Sequence, residues 1–275
     1  MLPSLLIVFR EVFEAGLIIG IVMAVTVGVP QRGRWVAGGV AAGVLGSCVV
    51  AVFTGGLSEL FHGNGQELFN AAILSFAVLM LGWHNVWMAR HGRELAAEMR
   101  SAGEAVVAGS KSLAALAAVV AIAVLREGSE VVLFLYGVAA AEGGAGLGMV
   151  TGGAVGLVLG SLVCLLTYLG LVTIPARYLF AVTSTLSTLL AAGMAAQAIA
   201  FLEQANILTL FDQTVWDTSW ILSDGSYLGR ALHTLIGYVD QPTAMQLIVY
   251  AATLAVIAAL MRAFALPVPQ RPREA

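Results

Sequence analysis

The sequence predicts an all-α integral membrane protein of seven transmembrane helices, with its N-terminus outside and its C-terminus in the cytoplasm. Three observations carry this reading. The 275 residues are 60% hydrophobic and only 11% charged, where a soluble domain carries roughly a quarter charged residues. The apolar runs reach membrane length, about 20 residues or more, which favours helices over a barrel. The basic residues fall almost wholly in one set of alternate loops, as the positive-inside rule requires.

Hydropathy marks seven spans, at 3–28, 36–57, 69–89, 112–140, 148–172, 179–202 and 243–264. The first lacks a basic leader and is interrupted by Arg10, Glu11 and Glu14, so it reads as a retained helix rather than a cleaved signal. Pro30 and Gln31-Arg32-Gly33-Arg34 end it. The second closes in Gly55-Gly56 and a polar loop, Ser58 to Glu67. After the third comes the most charged stretch, Arg90 to Lys111, expected as a surface helix or loop with Arg93, Glu94, Glu98 and Arg100 on a solvated face. A glycine-rich turn, Gly143 to Gly146, joins the fourth and fifth spans, and a loop with Pro175 and Arg177 leads to the sixth. The connection from Glu203 to Gln241 is long, aromatic and acidic. The seventh span ends in a basic Pro-rich tail.

Ten of the thirteen basic residues lie in the loops assigned to the cytoplasm, and Arg230 alone lies in the outer set. The outer loops hold Glu59, Glu67, Glu142, Glu203, Asp212, Asp217, Asp224 and Asp240. An acidic outer face concentrates cations. No nucleic-acid partner is expected. Cys48 and Cys164 both sit in apolar segments without a C-x-x-C spacing, which reads as small buried residues rather than redox chemistry.

The chain also repeats itself. Gly38-Gly39 and Leu45-Gly46-Ser47 in the second span match Gly152-Gly153 and Leu159-Gly160-Ser161 in the fifth. Leu68-Phe69 opens the third as Leu179-Phe180 opens the sixth. Spans one to three thus match spans four to six, and because three is odd the second unit is inverted. Inverted repeats with a mid-membrane site are a common transporter plan. The reading is one polytopic domain, 1–275: repeat one at 1–89, cytoplasmic loop 90–111, repeat two at 112–203, outer loop 204–241, then the last helix and tail.

The remaining two basic residues carry the chemistry. Arg10-Glu11-Val12-Phe13-Glu14 and Arg126-Glu127-Gly128-Ser129-Glu130 each sit inside an apolar run. Three charges at membrane depth oppose insertion by about 8–10 kcal/mol per motif. At 100° per residue the Arg and both Glu share one arc of about 100°, and the two carboxylates, three residues apart, converge on one ligand. Each motif carries a net −1. Carboxylate oxygens suit a hard or borderline metal ion, and the arginine neutralises a glutamate in the empty site. Glu11, Glu14, Glu127 and Glu130 are the expected ligands, with Arg10 and Arg126 as exchanging partners. Counted in residues, the first motif lies roughly 12–18 Å deep and the second only about 3–9 Å below the outer boundary. Even so, the expectation is a single shared site.

On these residues the sequence resembles the oxidase-dependent iron permeases, the fungal high-affinity iron permease and its bacterial EfeU-type relatives. Their mark is R-E-G-x-E in the first and fourth of seven helices. The second copy here fits fully, and the first has Val12 where Gly is usual but keeps every charge. Gln31-Arg32-Gly33-Arg34-Trp35, Gln66-Glu67-Leu68-Phe69 and Trp216-Asp217-Thr218-Ser219 extend the likeness along nearly the whole chain. The resemblance implies a permease, not an enzyme, that carries iron across the cytoplasmic membrane with Arg10, Glu11, Glu14, Arg126, Glu127 and Glu130 on its path. It implies iron as substrate, no cofactor, and an extracytoplasmic partner such as a multicopper oxidase, a cupredoxin-like protein or a haem peroxidase system.

Other residues are open to two readings. His84, placed toward the cytoplasmic side of the third span, reads as a satisfied buried histidine or an exit-path ligand. Gln197 is a further pathway candidate, and Asp217 an outer capture site for iron. Trp83, Trp87, Trp216 and Trp220 suit an aromatic belt, and the hydroxyl run Thr183 to Thr188 suits helix–helix bonding. Two rival functions stay open. One is a proton-coupled carrier for another cation such as Mn²⁺. The other is an intramembrane di-metal enzyme, disfavoured because di-iron bundles use Glu-x-x-His pairs and neither motif contains His.

Overall fold

The computed structural model describes residues 1–59, 66–141, 144, 146–170 and 176–264. The loop after the second span, the glycine-rich turn, the Pro175 loop and the basic tail fall largely or wholly outside them. The described residues form eight helices: α1 Leu2–Val25, α2 Arg32–Glu59, α3 Gln66–Val107, α4 Leu113–Ala141, α5 Leu147–Tyr168, α6 Ala176–Gln204, α7 Tyr227–Ile236 and α8 Ala244–Phe264. Five of these, α2, α3, α5, α6 and α8, contain stretches long and apolar enough to cross a membrane. α1 and α4 match them in length, at 24 and 29 residues, and each carries one three-charge motif.

Two elements differ from the sequence reading. The charged stretch after residue 89 is no separate helix; it continues α3 for a total of 42 residues. Glu94, Glu98 and Arg100 do lie exposed on it. Its far end is drawn back into the protein, because Val106 packs with Val22, Val36, Leu116 and Val120. α7 lies inside the connection read as a loop. Its signals are local: the Ser226 hydroxyl accepts a hydrogen bond from Gly229 N at 2.9 Å, and Gly237 ends the helix at φ 70°. Glu203, assigned to the same outer loop, instead belongs to α6. Its carboxylate accepts hydrogen bonds from Thr243 Oγ1 at 2.8 Å and Gln246 Nε2 at 3.1 Å, tying the end of α6 to the start of α8.

The most extensive pairings are α1 with α5, α2 with α4 and α3 with α6, with α8 against α6 and α3. Exchanging 1 with 4, 2 with 5 and 3 with 6 maps the first three pairings onto themselves. Close approach depends on glycine. A Cβ on Gly39 would stand 2.5 Å from the Ala117 carbonyl oxygen, and one on Gly156 would stand 2.5 Å from that of Leu5. Small residues of this kind let helix backbones touch where lipid gives no hydrophobic drive to association.

Polarity is arranged the reverse of a soluble protein. Phe53, Leu79, Ile122, Leu147 and Val158 are exposed, while the six motif charges, apart from part of Arg126, are buried. Cys48 is also exposed, against expectation; in a bilayer an apolar side chain needs no protein cover. Two apolar cores enclose the charged centre. Ile7, Leu74, Leu81, Phe134 and Met194 form one, and Val22, Val106, Leu116 and Val120 the other. Along α1, α3 and α4 the motif residues and His84 fall between them.

Candidate functional site

Each R-E-x-x-E is one helical turn with its charges on one face, and α1 and α4 turn those faces toward each other and toward α3. In the first motif Arg10 Nε donates to Glu14 Oε1 at 2.9 Å, and Arg10 NH1 donates to Ser187 Oγ on α6 at 2.8 Å. NH1 stands 3.9 Å from Glu11 Oε1. In the second, Arg126 Nε lies 3.3 Å from Glu130 Oε1 and 3.8 Å from Glu127 Oε1. The repeat therefore preserves the pairing of each arginine with the glutamate four residues on.

The two arginines differ in surroundings. The Arg10 side chain is 3% exposed and that of Arg126 is 32% exposed. The Arg126 guanidinium lies over the Trp87 ring, 4.2 Å from its centroid, a cation–π contact. Trp87 thus holds a motif arginine rather than only facing an interface, and it stacks in turn on His91.

His84 joins the motifs. Its Nε2 lies 3.3 Å from Glu14 Oε2, and its Nδ1 contacts Glu130 Oε2 closely. The sequence reading put this ring toward the cytoplasmic side. The structure puts it at the level of both motifs, because α3 runs on to Val107 and residue 84 falls near its middle. The neighbouring Asn85 donates to Thr188 Oγ1 at 3.3 Å, which fixes α3 against the hydroxyl-rich face of α6.

Glu11, His84, Glu127 and Glu130 each offer one ligand atom, and the four atoms lie within 4.8 Å of one another. All four residues are buried, and both oxygens of Glu11 and one of Glu127 have no hydrogen-bond partner, while Glu130 is held by Arg126 and His84. A buried carboxylate oxygen without a donor is costly unless a cation or proton joins it. Glu14 stands apart from this group, its two oxygens engaged by Arg10 and His84. With four glutamates and two arginines, the two motifs together carry a formal −2.

An iron permease FTR1 family model matches residues 1–268. The ferrous iron permease EfeU of Yersinia pestis is 34% identical over 255 residues, covering 91% of this chain and 89% of the relative. The ferrous iron permease EfeU of Escherichia coli O157:H7 is 32% identical over 272 residues, covering 97% and 96%. No solved structure matches. The chain belongs to the iron permease FTR1 family. It is a multi-pass membrane transporter, not an enzyme.

Within this family member, two expected site residues stand away from the motifs. Gln197 is half-buried on α6, ten residues beyond Ser187 and so about 15 Å along the helix. Asp217 is exposed in the connection before α7. Its Oδ1 accepts from Ser219 N and Oγ at 2.9 and 2.6 Å, and its Oδ2 accepts from Gln241 Nε2 at 3.0 Å. These bonds, the Ser219 hydroxyl first, hold its carboxyl below the usual aspartate range. Sequence reasoning missed Ser187 and Trp87 as partners of the arginines. The hydroxyl run around Ser187 and the Trp83 to Trp87 segment were visible, but their faces were not.

Proposed function

We propose that this protein is an iron permease of the cytoplasmic membrane that moves Fe²⁺ inward through the buried centre between α1, α3 and α4. The observation that carries the reading is the convergence of both motifs on one place, with carboxylate oxygens left unbonded at its heart. A doubly charged cation would balance the formal −2 of the two motifs, and the relatives are named ferrous iron permeases. Glu11, Glu127 and Glu130 bind the ion. Glu14 and the two arginines hold the empty site, and Arg126 releases Glu130 when the ion arrives. Asp217 and its acidic surroundings collect iron from an extracytoplasmic iron-handling or oxidase protein.

The architecture we propose is seven spans, with α1 and α4 crossing alongside the five apolar ones, the N-terminus outside, and α1–α3 and α4–α6 as inverted repeats. The exchange symmetry of the helix pairings supports it.

The test is uptake into proteoliposomes with Fe²⁺ and Fe³⁺ supplied separately, with and without a proton gradient, and with Mn²⁺ as competitor. Fe²⁺ uptake is expected, lost in Glu11→Gln and in Glu127→Gln while membrane protein levels stay normal. Near-normal uptake in both variants would sink the assignment. Uptake of Fe³⁺ alone would reassign the valence.

A further inference from the structure

We propose that His84 is the nitrogen donor that sets which cation the site accepts, favouring Fe²⁺ over Mn²⁺, Ca²⁺ and Mg²⁺. This rests on the reading of the centre as an iron site and adds a ligand from a third helix, outside either motif.

The two motifs alone offer only oxygen. Oxygen sites take Mg²⁺, Ca²⁺ and Mn²⁺ readily, whereas imidazole suits iron and the later metals. An all-carboxylate centre in an open pathway would discriminate poorly against the commoner hard cations. His84 is the one nitrogen in the converging set. Its side chain is 2% exposed, and its ring nitrogens face a glutamate of each motif. Among these donors Glu11 has neither oxygen hydrogen-bonded, so a ligand-ready group already points inward.

Distances fit with a small adjustment. First-row ions sit about 2.0–2.2 Å from nitrogen and oxygen donors, which places those donors about 3–4.4 Å apart. The set spans 4.8 Å, so it closes on an ion by a shift well under the length of one bond. The ring is also pre-positioned. Asn85, next in the chain, is bonded to Thr188, and Thr188 Oγ1 bonds back to the Ser184 carbonyl at 2.7 Å. Arg126 rests on Trp87, three residues after His84 and so on the same side of α3. The arginine, the imidazole and the ion therefore compete for one carboxylate, that of Glu130.

The experiment is anaerobic equilibrium binding of Fe²⁺ and Mn²⁺ to the purified full chain in nanodiscs, for wild type, His84→Gln and Glu127→Gln. Glu127→Gln is expected to weaken both ions by about tenfold or more, and His84→Gln to weaken Fe²⁺ by a similar factor but Mn²⁺ by only a few fold. Unchanged binding in Glu127→Gln overturns the iron site itself. Loss in Glu127→Gln with an unchanged Fe²⁺/Mn²⁺ ratio in His84→Gln overturns the role of His84 alone. Should His84→Gln fail to fold, a chain with His62, His91 and His233 replaced by Gln keeps His84 as the last of its four histidines. Pulsed electron paramagnetic resonance of Mn²⁺ bound to that chain, grown with ¹⁵N-histidine, is expected to show imidazole nitrogen. Its absence overturns the proposal.

Discussion

Arg10 and Arg126 hold equivalent places in the two motifs, yet their neighbours give them different work. Arg10 is enclosed, bonded to Glu14 and Ser187, and stands 3.9 Å from Glu11. Removing its charge strands buried carboxylates, so Arg10→Met should destabilise the protein by about 3–5 kcal/mol. Arg126 is a third exposed and rests partly on Trp87. Arg126→Met should cost clearly less stability while still impairing transport, and thermal unfolding in detergent separates the two. Equal losses would mean that both arginines are structural. Asp217 shows how a residue reads differently once its partners are known. In sequence it is one more outer-loop acid; in the fold its carboxylate closes a turn with Ser219 and reaches Gln241. Its folded pKa is lowered, so its contribution to the loop is present above the unfolded value of about 3.9 and is lost as pH falls through the lower folded one. A ¹³C-carboxyl NMR titration should place its midpoint below the ordinary aspartate value, with Ser219→Ala raising it. Asp217→Asn should raise the half-saturating iron concentration more than it lowers the maximal rate. Uptake unchanged at every concentration would leave Asp217 a loop residue only.

Helix pairing explains why the first motif has Val12 where the second has Gly128. A Cβ on Gly128 would run into Ser47 of α2, with Ser47 Cβ at 2.8 Å. In the other repeat Val12 faces α5, where a Cβ on Gly160 would come to 3.0 Å from Val12 Cγ1. Repeat two has its small residue in the motif, and repeat one has it on the partner helix. Gly128→Val should therefore destabilise by about 1–3 kcal/mol through overpacking and lower uptake with every charge intact. Gly20→Ala, with nothing within 4 Å of the added carbon, should leave the melting temperature unchanged or raised. If Gly128→Val melts with wild type, α2 and α4 are not held by this contact. The long helices were legible because apolar length is a strong signal over 20 or more residues. α7 was not, since a ten-residue helix in an acidic connection leaves no hydropathy trace and is marked only by Ser226 and Gly237. Nor was the continuation of α3 beyond residue 89, because charge was read there as a boundary while Val106 was packing into a core.

At the scale of the whole molecule, charge in the loops and charge in the core predict separable things. The bias of basic residues predicts orientation. With Cys48 and Cys164 replaced by Ala, a single cysteine at Leu210 should react with an impermeant reagent from outside, and labelling from the cytoplasmic side alone would reverse the topology. The core predicts one site. Residue counting set the second motif shallower than the first because α4 was fitted to a core about 30 Å thick. At 29 residues it is about 43 Å long, so its ends do not mark that core. The donors of Glu11 on α1 and of Glu127 and Glu130 on α4 instead lie within 4.8 Å of one another, so the antiparallel motifs are level. What hydropathy could not supply was the ring between them, since a lone histidine on an apolar helix has no periodic signature. Glu11 and Glu127 now fall in one group of donors that all lie within 4.8 Å of one another, within reach of the coordination sphere of one ion. Losses should then be non-additive, because groups that share one ligand act as a unit. The double variant Glu11→Gln, Glu127→Gln should bind Fe²⁺ hardly worse than either single variant. Calorimetry on the purified protein should find one binding event per chain, abolished from either motif. Two events, each removed only by mutating its own motif, would replace the shared centre with two sites in series.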